Sequence, residues 1–258
     1  MPELPNVEYF KDFFRKKGKN KKIQDVHVKK SILLKTTPKR LRDKLKGEKI
    51  TKLERYGKIL FLKISKNGWL VLHFGMTGRL EFLVRDKMPE KAFLGFIYPE
   101  GILIYKSLRK FGYIAFTENK KEFLENKELG PDALDIEEKE FLKLIDKRSG
   151  IIKPLLLNQK FLAGIGNVYA DEILFQTKMH PLKKVKELSR KEKKHLFAKM
   201  QYVLSSACKY IRSRKEFPKS WLIEHREESG KCPRCHRKLK RIRQLGRSSW
   251  FCPGCQKI

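Results

Sequence analysis

Four cysteines near the end of the chain limit what that end can fold into. Cys232-x2-Cys235 is followed, after sixteen residues, by Cys252-x2-Cys255. Two such pairs at this separation bring four thiolates around one tetrahedral Zn²⁺. Pro233 and Pro253-Gly254 stand where the knuckle turns need them. A unit this short has little apolar core, so metal binding supplies most of its folding free energy. All four positions are protein ligands, which makes the expected ion structural rather than catalytic. Lys238, Lys240, Arg241, Arg243 and Arg247 lie between or beside the pairs and offer cations to phosphate. The alternative is a ribbon that only stabilises the C-terminal end or contacts protein. The fifth cysteine, Cys208, falls on the apolar face of a helix and reads as core.

Charge narrows the partner. Lys+Arg number 61 against 29 Asp+Glu, a formal net charge of +32. The cations run along the whole chain, so a basic tail on a neutral domain is excluded. A field of this sign attracts polyanions, and nucleic acid is the leading partner, with binding that weakens steeply as salt rises. No apolar run reaches the roughly 18 residues of a membrane span. Lys11, Asp12, Arg15, Lys16 and Lys17 interrupt any signal-like apolar stretch. A cytoplasmic, nucleoid-associated monomer is expected, in a reducing compartment where cysteines serve metal rather than disulfides.

At 258 residues the chain has room for more than one domain. Residues 5–17 read as a short amphipathic helix. Between Ile23 and Phe116 short apolar runs follow one another: Ile59 to Ile64, Trp69 to Phe74, Leu80 to Val84, Phe93 to Tyr98, Ile102 to Tyr105 and Tyr113 to Phe116. Asn67-Gly68 and Pro99-Glu100-Gly101 suit tight turns between some of them. A β-sandwich or barrel follows. Leu129-Gly130-Pro131-Asp132 reads as a linker, Glu137 to Lys147 as helix, and Val168 to Gln176 as helix after a Gly-rich turn. Ser189 to Ser213 has a capping box, Ser189-x-x-Glu192, ahead of apolar residues at helical spacing.

Four further segments carry chemistry. The chain begins Met1-Pro2-Glu3-Leu4-Pro5. Once Met1 is removed, Pro2 is a secondary amine with a pKa of roughly 8, partly neutral and nucleophilic near neutral pH. Its attack on a sugar carbon gives an iminium, an electron sink, and Glu3 stands beside it to move protons. The plainer reading is two prolines at a helix start. In Leu162-Ala163-Gly164-Ile165-Gly166-Asn167 two glycines open a helix. Its N–H groups suit an anion, for which a DNA phosphate fits, or Asn167 simply caps the helix. Lys58, in Tyr56-Gly57-Lys58, suits phosphate or proton transfer, or is one more solvated lysine. Met76, in His73-Phe74-Gly75-Met76-Thr77-Gly78, and Arg109-Lys110-Phe111-Gly112 offer apolar wedges with a forked cation, or core.

In this order, these segments resemble the formamidopyrimidine-DNA glycosylase family nearly end to end. The resemblance implies an α+β multidomain fold: an N-terminal β-sandwich with an N-terminal helix (1–128), a helical helix–two-turn–helix domain (129–227) and a four-cysteine zinc finger (228–258). It implies a bifunctional glycosylase and abasic-site lyase acting on double-stranded DNA with damaged bases or abasic sites. Pro2 is then the nucleophile, Glu3 the general acid/base, and Lys58 a catalytic phosphate contact. Asn167 and Arg247 bind flanking phosphates, Met76, Arg109 and Phe111 fill the space left by the extruded base, and Lys153 contacts DNA or lesion. Cys232, Cys235, Cys252 and Cys255 hold one structural Zn²⁺.

The chain departs from that pattern in places. Asn6 stands where Pro-Glu is usual, and Ser107-Leu108 and Lys110 replace Asp-Pro and arginine. Arg214 to Gly230 is short and lacks a Gly-Gly-Thr-like start. Formamidopyrimidines, hydantoins and abasic sites are therefore expected ahead of 8-oxoguanine. The competing readings are a non-catalytic DNA-binding member of the same family, and an RNA-binding zinc-ribbon protein, which leaves the N-terminus unexplained.

Overall fold

The computed structural model describes residues 2–84, 88–244 and 246–257, with Gln244 described by its backbone alone. The chain forms two compact units. One holds Pro2 and Asn6–Glu128, the other Glu3–Pro5 and the chain from Leu129 onward.

The first unit is built from helix α1 (Leu4–Gly18), whose first residues count with the other unit, and eight strands. These are β1 (Asp25–Val28), β2 (Ile50–Tyr56), β3 (Ile59–Ile64), β4 (Trp69–His73), β5 (Arg79–Leu83), β6 (Ala92–Tyr98), β7 (Gly101–Lys106) and β8 (Tyr113–Thr117). They form two four-stranded antiparallel sheets, β1-β6-β7-β5 and β2-β3-β4-β8. Alternation sets the faces. Leu60, Leu62 and Ile64 join Leu70 and Leu72 in one core with Leu94, Phe96 and Leu103 of the other sheet, and α1 adds Val7, Phe10 and Phe14. Phe61 points the other way and meets Phe123 of a helix at Lys120–Asn126 edge-on, 5.8 Å between ring centres. Gly68, at φ +77°, makes the Asn67-Gly68 turn between β3 and β4.

The six expected strands are β3 to β8. Strand β2 and helix α2 (Pro38–Leu45) were not legible because charged residues interrupt them, and β1 because it is only four residues long. In α2 only Leu41 and Leu45 are buried. Its start nevertheless carries a signal: Thr37 caps it by accepting from the Arg40 N–H, with Pro38 in the first turn.

The second unit contains α4 (Glu138–Asp146), α5 (Ile152–Leu157), α6 (Asn167–Gln176) and α7 (Arg190–Ser213), counting the Lys120–Asn126 helix of the first unit as α3, and the hairpin β9 (Lys240–Gln244) with β10 (Arg247–Phe251). The Ser189–Glu192 capping box is formed. Leu196, Met200, Val203 and Leu204 of α7 pack with Phe141, Ile145, Tyr169 and Ile173. Leu129-Gly130-Pro131-Asp132 corrects the expectation of a linker. The Gly130 N–H donates to Gln159, the Ala163 N–H donates to Pro131, and Asp132 bridges to Ala163. A side chain at Gly130 would meet the Phe161 carbonyl at 2.5 Å, so glycine is what lets the segment dock. No helix among the described residues is long and apolar enough to cross a membrane.

Candidate active site

The four cysteine sulfurs lie within 4.8 Å of one another, with Cys235–Cys252 at 3.3 Å and Cys232–Cys255 at 3.8 Å. Zn–S bonds of about 2.3 Å in a tetrahedron put sulfurs about 3.8 Å apart. The donor set therefore fits one structural zinc. The knuckles are closed by the His236 N–H donating to the Cys232 carbonyl and the Gln256 N–H to that of Cys252. The finger does not stand alone. Arg234 donates to the Phe175 carbonyl (2.7 Å) and Gln176 Oε1 (2.9 Å) at the end of α6, and lies over the Phe175 ring.

The Gly-rich turn receives an anion, but one that belongs to the chain. Glu3 is fully buried, and its carboxylate accepts from the N–H groups of Gly166 (2.8 Å), Val168 (2.9 Å) and Tyr169 (3.3 Å). These are the open donors of the first turn of α6. Gly166 is the N-cap residue and has no side chain to satisfy them, so Glu3 takes the part a capping residue normally plays, in line with the helix dipole. This corrects the expectation of a phosphate in that cradle. It also corrects Asn167 as the cap: Asn167 is the first helical residue, and its Oδ1 is buried without a hydrogen-bond partner. Both glycines are required. A Cβ at Gly166 would lie 2.2 Å from the Glu3 carboxyl carbon, and one at Gly164, at φ +118°, would lie 2.5 Å from Leu4 Cδ1. Pro2, the next residue back along the chain, is partly exposed.

In the first unit two loops bring Met76, Arg109 and Phe111 together. Thr77 Oγ1 accepts from the N–H groups of Leu108 (3.1 Å) and Arg109 (2.9 Å), and Ser107 Oγ accepts from Lys110. The backbones touch where they do because Gly75 and Gly112 have no Cβ; one at Gly75 would meet Phe111 C at 2.4 Å. The result is an exposed apolar tip. Phe111 is 59% exposed and Met76 38%, with the Arg109 guanidinium over the Phe111 ring. Exposure of this kind is costly in water and marks a surface built for contact.

Lys58 lies in the turn between β2 and β3, half-buried. Ile59 pairs with His73, so the turn sits alongside the end of β4. His73, whose role the sequence did not disclose, stacks on Tyr113 at 5.0 Å, and its Nδ1 has no hydrogen-bond partner. Burial, reinforced by the charges of Lys58 and Lys127, pushes its pKa down to about 4. It is therefore neutral at ordinary pH. In the unfolded chain it protonates near 6.5, so the unfolded state binds more protons between pH 6.5 and 4. Stability should fall as pH drops through that window, by about 3 kcal/mol. His73→Gln should flatten this loss, as read by denaturant melts at pH 7 and pH 4.5. An unchanged acid dependence would contradict the assignment.

Lys153 and Arg247 lie in the second unit. Arg247 is exposed at the start of β10. Lys153 is 1% exposed and ion-paired with Asp171 at 2.5 Å, so its ammonium group lies inside the unit.

Residues 1–114 match the formamidopyrimidine-DNA glycosylase N-terminal domain, 129–217 the H2TH domain of the same family, and 229–258 the zinc finger found in FPG and IleRS. Formamidopyrimidine-DNA glycosylase from Desulforamulus reducens is 34% identical over 275 residues, covering 100% of this chain and 99% of the relative. That from Heliobacterium modesticaldum is 33% identical over 277 residues, covering 100% of both. Among solved structures, a complex of Lactococcus lactis Fpg with DNA containing an abasic site superposes with a TM-score of 0.90 at 29% identity, covering 100% of both chains. MutM in complex with DNA containing carbocyclic 8-oxo-G gives 0.89 at 29%, again over 100% of both. The chain belongs to the formamidopyrimidine-DNA glycosylase family.

Proposed function

We propose that this base-excision glycosylase removes oxidised and ring-opened bases from double-stranded DNA and cuts the strand through a covalent iminium on Pro2. The observation that carries the reading is the carboxylate of Glu3, buried and held by three backbone N–H groups next to the residue whose amine would react. A carboxylate with both oxygens fixed is prepared to take a proton from the neighbouring amine and hand it on to a substrate atom without first finding its geometry.

The steps follow from that pair. The Pro2 nitrogen bonds to C1′ of the damaged nucleotide as the bond to the base breaks; the Glu3 carboxylate takes up the proton that the Pro2 nitrogen releases and passes it to the ring oxygen as the sugar opens. The resulting iminium acidifies C2′–H. Loss of that proton expels the 3′ phosphate, and a second elimination releases the 5′ phosphate. Lys58 steadies a phosphate at the lesion. Met76, Arg109 and Phe111 occupy the stack, offsetting the few kcal/mol that base extrusion costs. Asn167 and Arg247 hold flanking phosphates. The bound zinc supplies the folding free energy of the finger. Residues 1–128, 129–227 and 228–258 act as catalytic sandwich, helical DNA-binding part and finger. The enzyme works as a monomer in the cytoplasm, at the nucleoid.

Lesion preference is set by the stretch after α7. Phe217 stacks on Trp221 at 5.5 Å, and Trp221 is 2% exposed. This stretch, Arg214 to Gly230, is also short and lacks a Gly-Gly-Thr-like start, which supports formamidopyrimidines, hydantoins and abasic sites over 8-oxoguanine. A panel of duplexes, each with one lesion, tests this by strand cleavage. Cleavage of the first three well ahead of 8-oxoguanine is expected. An 8-oxoguanine rate equal to theirs contradicts the preference, and no cleavage of any contradicts the function.

A further inference from the structure

Asp171 is 1% exposed and is the point where four segments of the second unit meet. Its Oδ1 pairs with Lys153 Nζ of α5 at 2.5 Å. Its Oδ2 accepts from Arg226 Nη2 (2.8 Å) and from the Trp250 N–H of β10 (3.2 Å). Lys153 reaches the same strand, donating to the Ser248 carbonyl (2.9 Å) and Ser249 Oγ (2.7 Å). The position of the cluster is informative. Asp171 lies one helical turn after Asn167, on the same face of α6. The strand residues it gathers, 248–250, directly follow Arg247. By strand alternation Arg247 shares its pleat face with Ser249, the residue that Lys153 grips. A buried ion cluster is a poor source of net stability but a good way to impose one geometry. Apolar packing alone could join helix and hairpin; it would not fix their register to a hydrogen bond.

We propose that Asp171, with Lys153 and Arg226 as its arms, is a positioning residue that holds α6 and β10 so that Asn167 and Arg247 act as a single two-point phosphate clamp. Lys153 thereby serves DNA binding from inside the unit. This rests on the proposed roles of Asn167 and Arg247. The chemistry requires nothing of Asp171 beyond holding still: it touches no substrate atom.

The test measures affinity for a duplex with a stable abasic analogue across a range of salt, for the parent, Asp171→Asn, Arg247→Ala, Asn167→Ala and the Asp171→Asn/Arg247→Ala double variant, with zinc content and melting temperature as controls. Removing a phosphate-binding arginine lowers the slope of log K against log salt by about one. Asp171→Asn removes no exposed cation, yet should weaken binding about tenfold and lower the slope by the same amount. In the double variant the two effects should not multiply. A merely structural role would change melting temperature and leave the slope alone. If Arg247→Ala weakens binding while Asp171→Asn leaves the slope at its parent value, or if their effects multiply, the positioning role is overturned and the clamp stands. If Arg247→Ala and Asn167→Ala both bind like the parent, the clamp itself fails and takes this proposal with it. Asp171→Asn leaves two cations facing each other and can lower stability. The paired Lys153→Met/Asp171→Leu variant removes both charges of the buried pair, and the same slope change is expected of it.

Discussion

Stripping zinc from this protein, or replacing Cys252 with serine, should abolish tight binding to duplex DNA. Cys252 is fully buried within the sulfur cluster, so serine cannot move aside to let another ligand in. Structural zinc contributes about 10–16 kcal/mol in small finger peptides at neutral pH. That is as large as the whole stability of an ordinary domain. Losing the metal should therefore unfold residues 229–257, and Arg247 with them. The damage should spread, because Arg234 ties the finger to the end of α6 and Phe175 and Leu222 share a small core with Cys232 and Cys252. Metal analysis, a thermal melt and a duplex-binding titration on the same sample read the effect. Affinity lower by at least about a hundredfold is expected, given the salt-sensitive cationic contacts that would be lost. Parent-like affinity in a sample without zinc would refute a structural role for the metal.

The second large effect concerns the anchor of the N-terminus. Glu3→Gln should reduce base excision about 10²- to 10⁴-fold, the range for loss of a positioned acid/base group. The amide keeps the size of the carboxylate but turns an NH₂ toward N–H donors at the start of α6, so part of the cradle is broken as well. Gly166→Ala should reproduce much of this while leaving residue 3 a glutamate, since the added methyl would fall 2.2 Å from the Glu3 carboxyl carbon. Single-turnover cleavage of formamidopyrimidine duplex, with binding measured separately, checks both. Near-parent excision by Gly166→Ala would mean that the held carboxylate is not needed where the structure puts it.

How far the sequence disclosed this site depended on whether the signal was local. The four cysteines, the Ser189–Glu192 box and the Asn67-Gly68 turn are short-range patterns with one physical meaning each, and each formed as expected. The loops carrying Met76, Arg109 and Phe111 were legible as motifs, but not as a pair. Their meeting depends on Gly75 and Gly112 allowing backbone contact between residues far apart in sequence. The cradle for Glu3 was harder still. Glycines opening a helix announce an anion site, and in so basic a chain phosphate was the natural occupant. Nothing local says that the anion is residue 3. The burial of Lys153 was hidden for a similar reason. A lysine reads as surface unless its partner is known, and Asp171 lies on another helix. Strand β2 was hidden because Thr51, Lys52, Glu54 and Arg55 break its apolar alternation, and β1 because its four residues, though alternating, are too few to stand out.

The proposed chemistry requires the amine of Pro2 to form the covalent bond to the sugar. Processed enzyme, confirmed by intact mass to lack Met1, is mixed with abasic-site duplex and borohydride, digested, and sequenced by mass spectrometry to locate the adduct. A single DNA adduct is expected on the N-terminal proline, and none in a sample whose terminus is blocked. An adduct on Lys58 or another lysine, or equal trapping by the blocked protein, would contradict it.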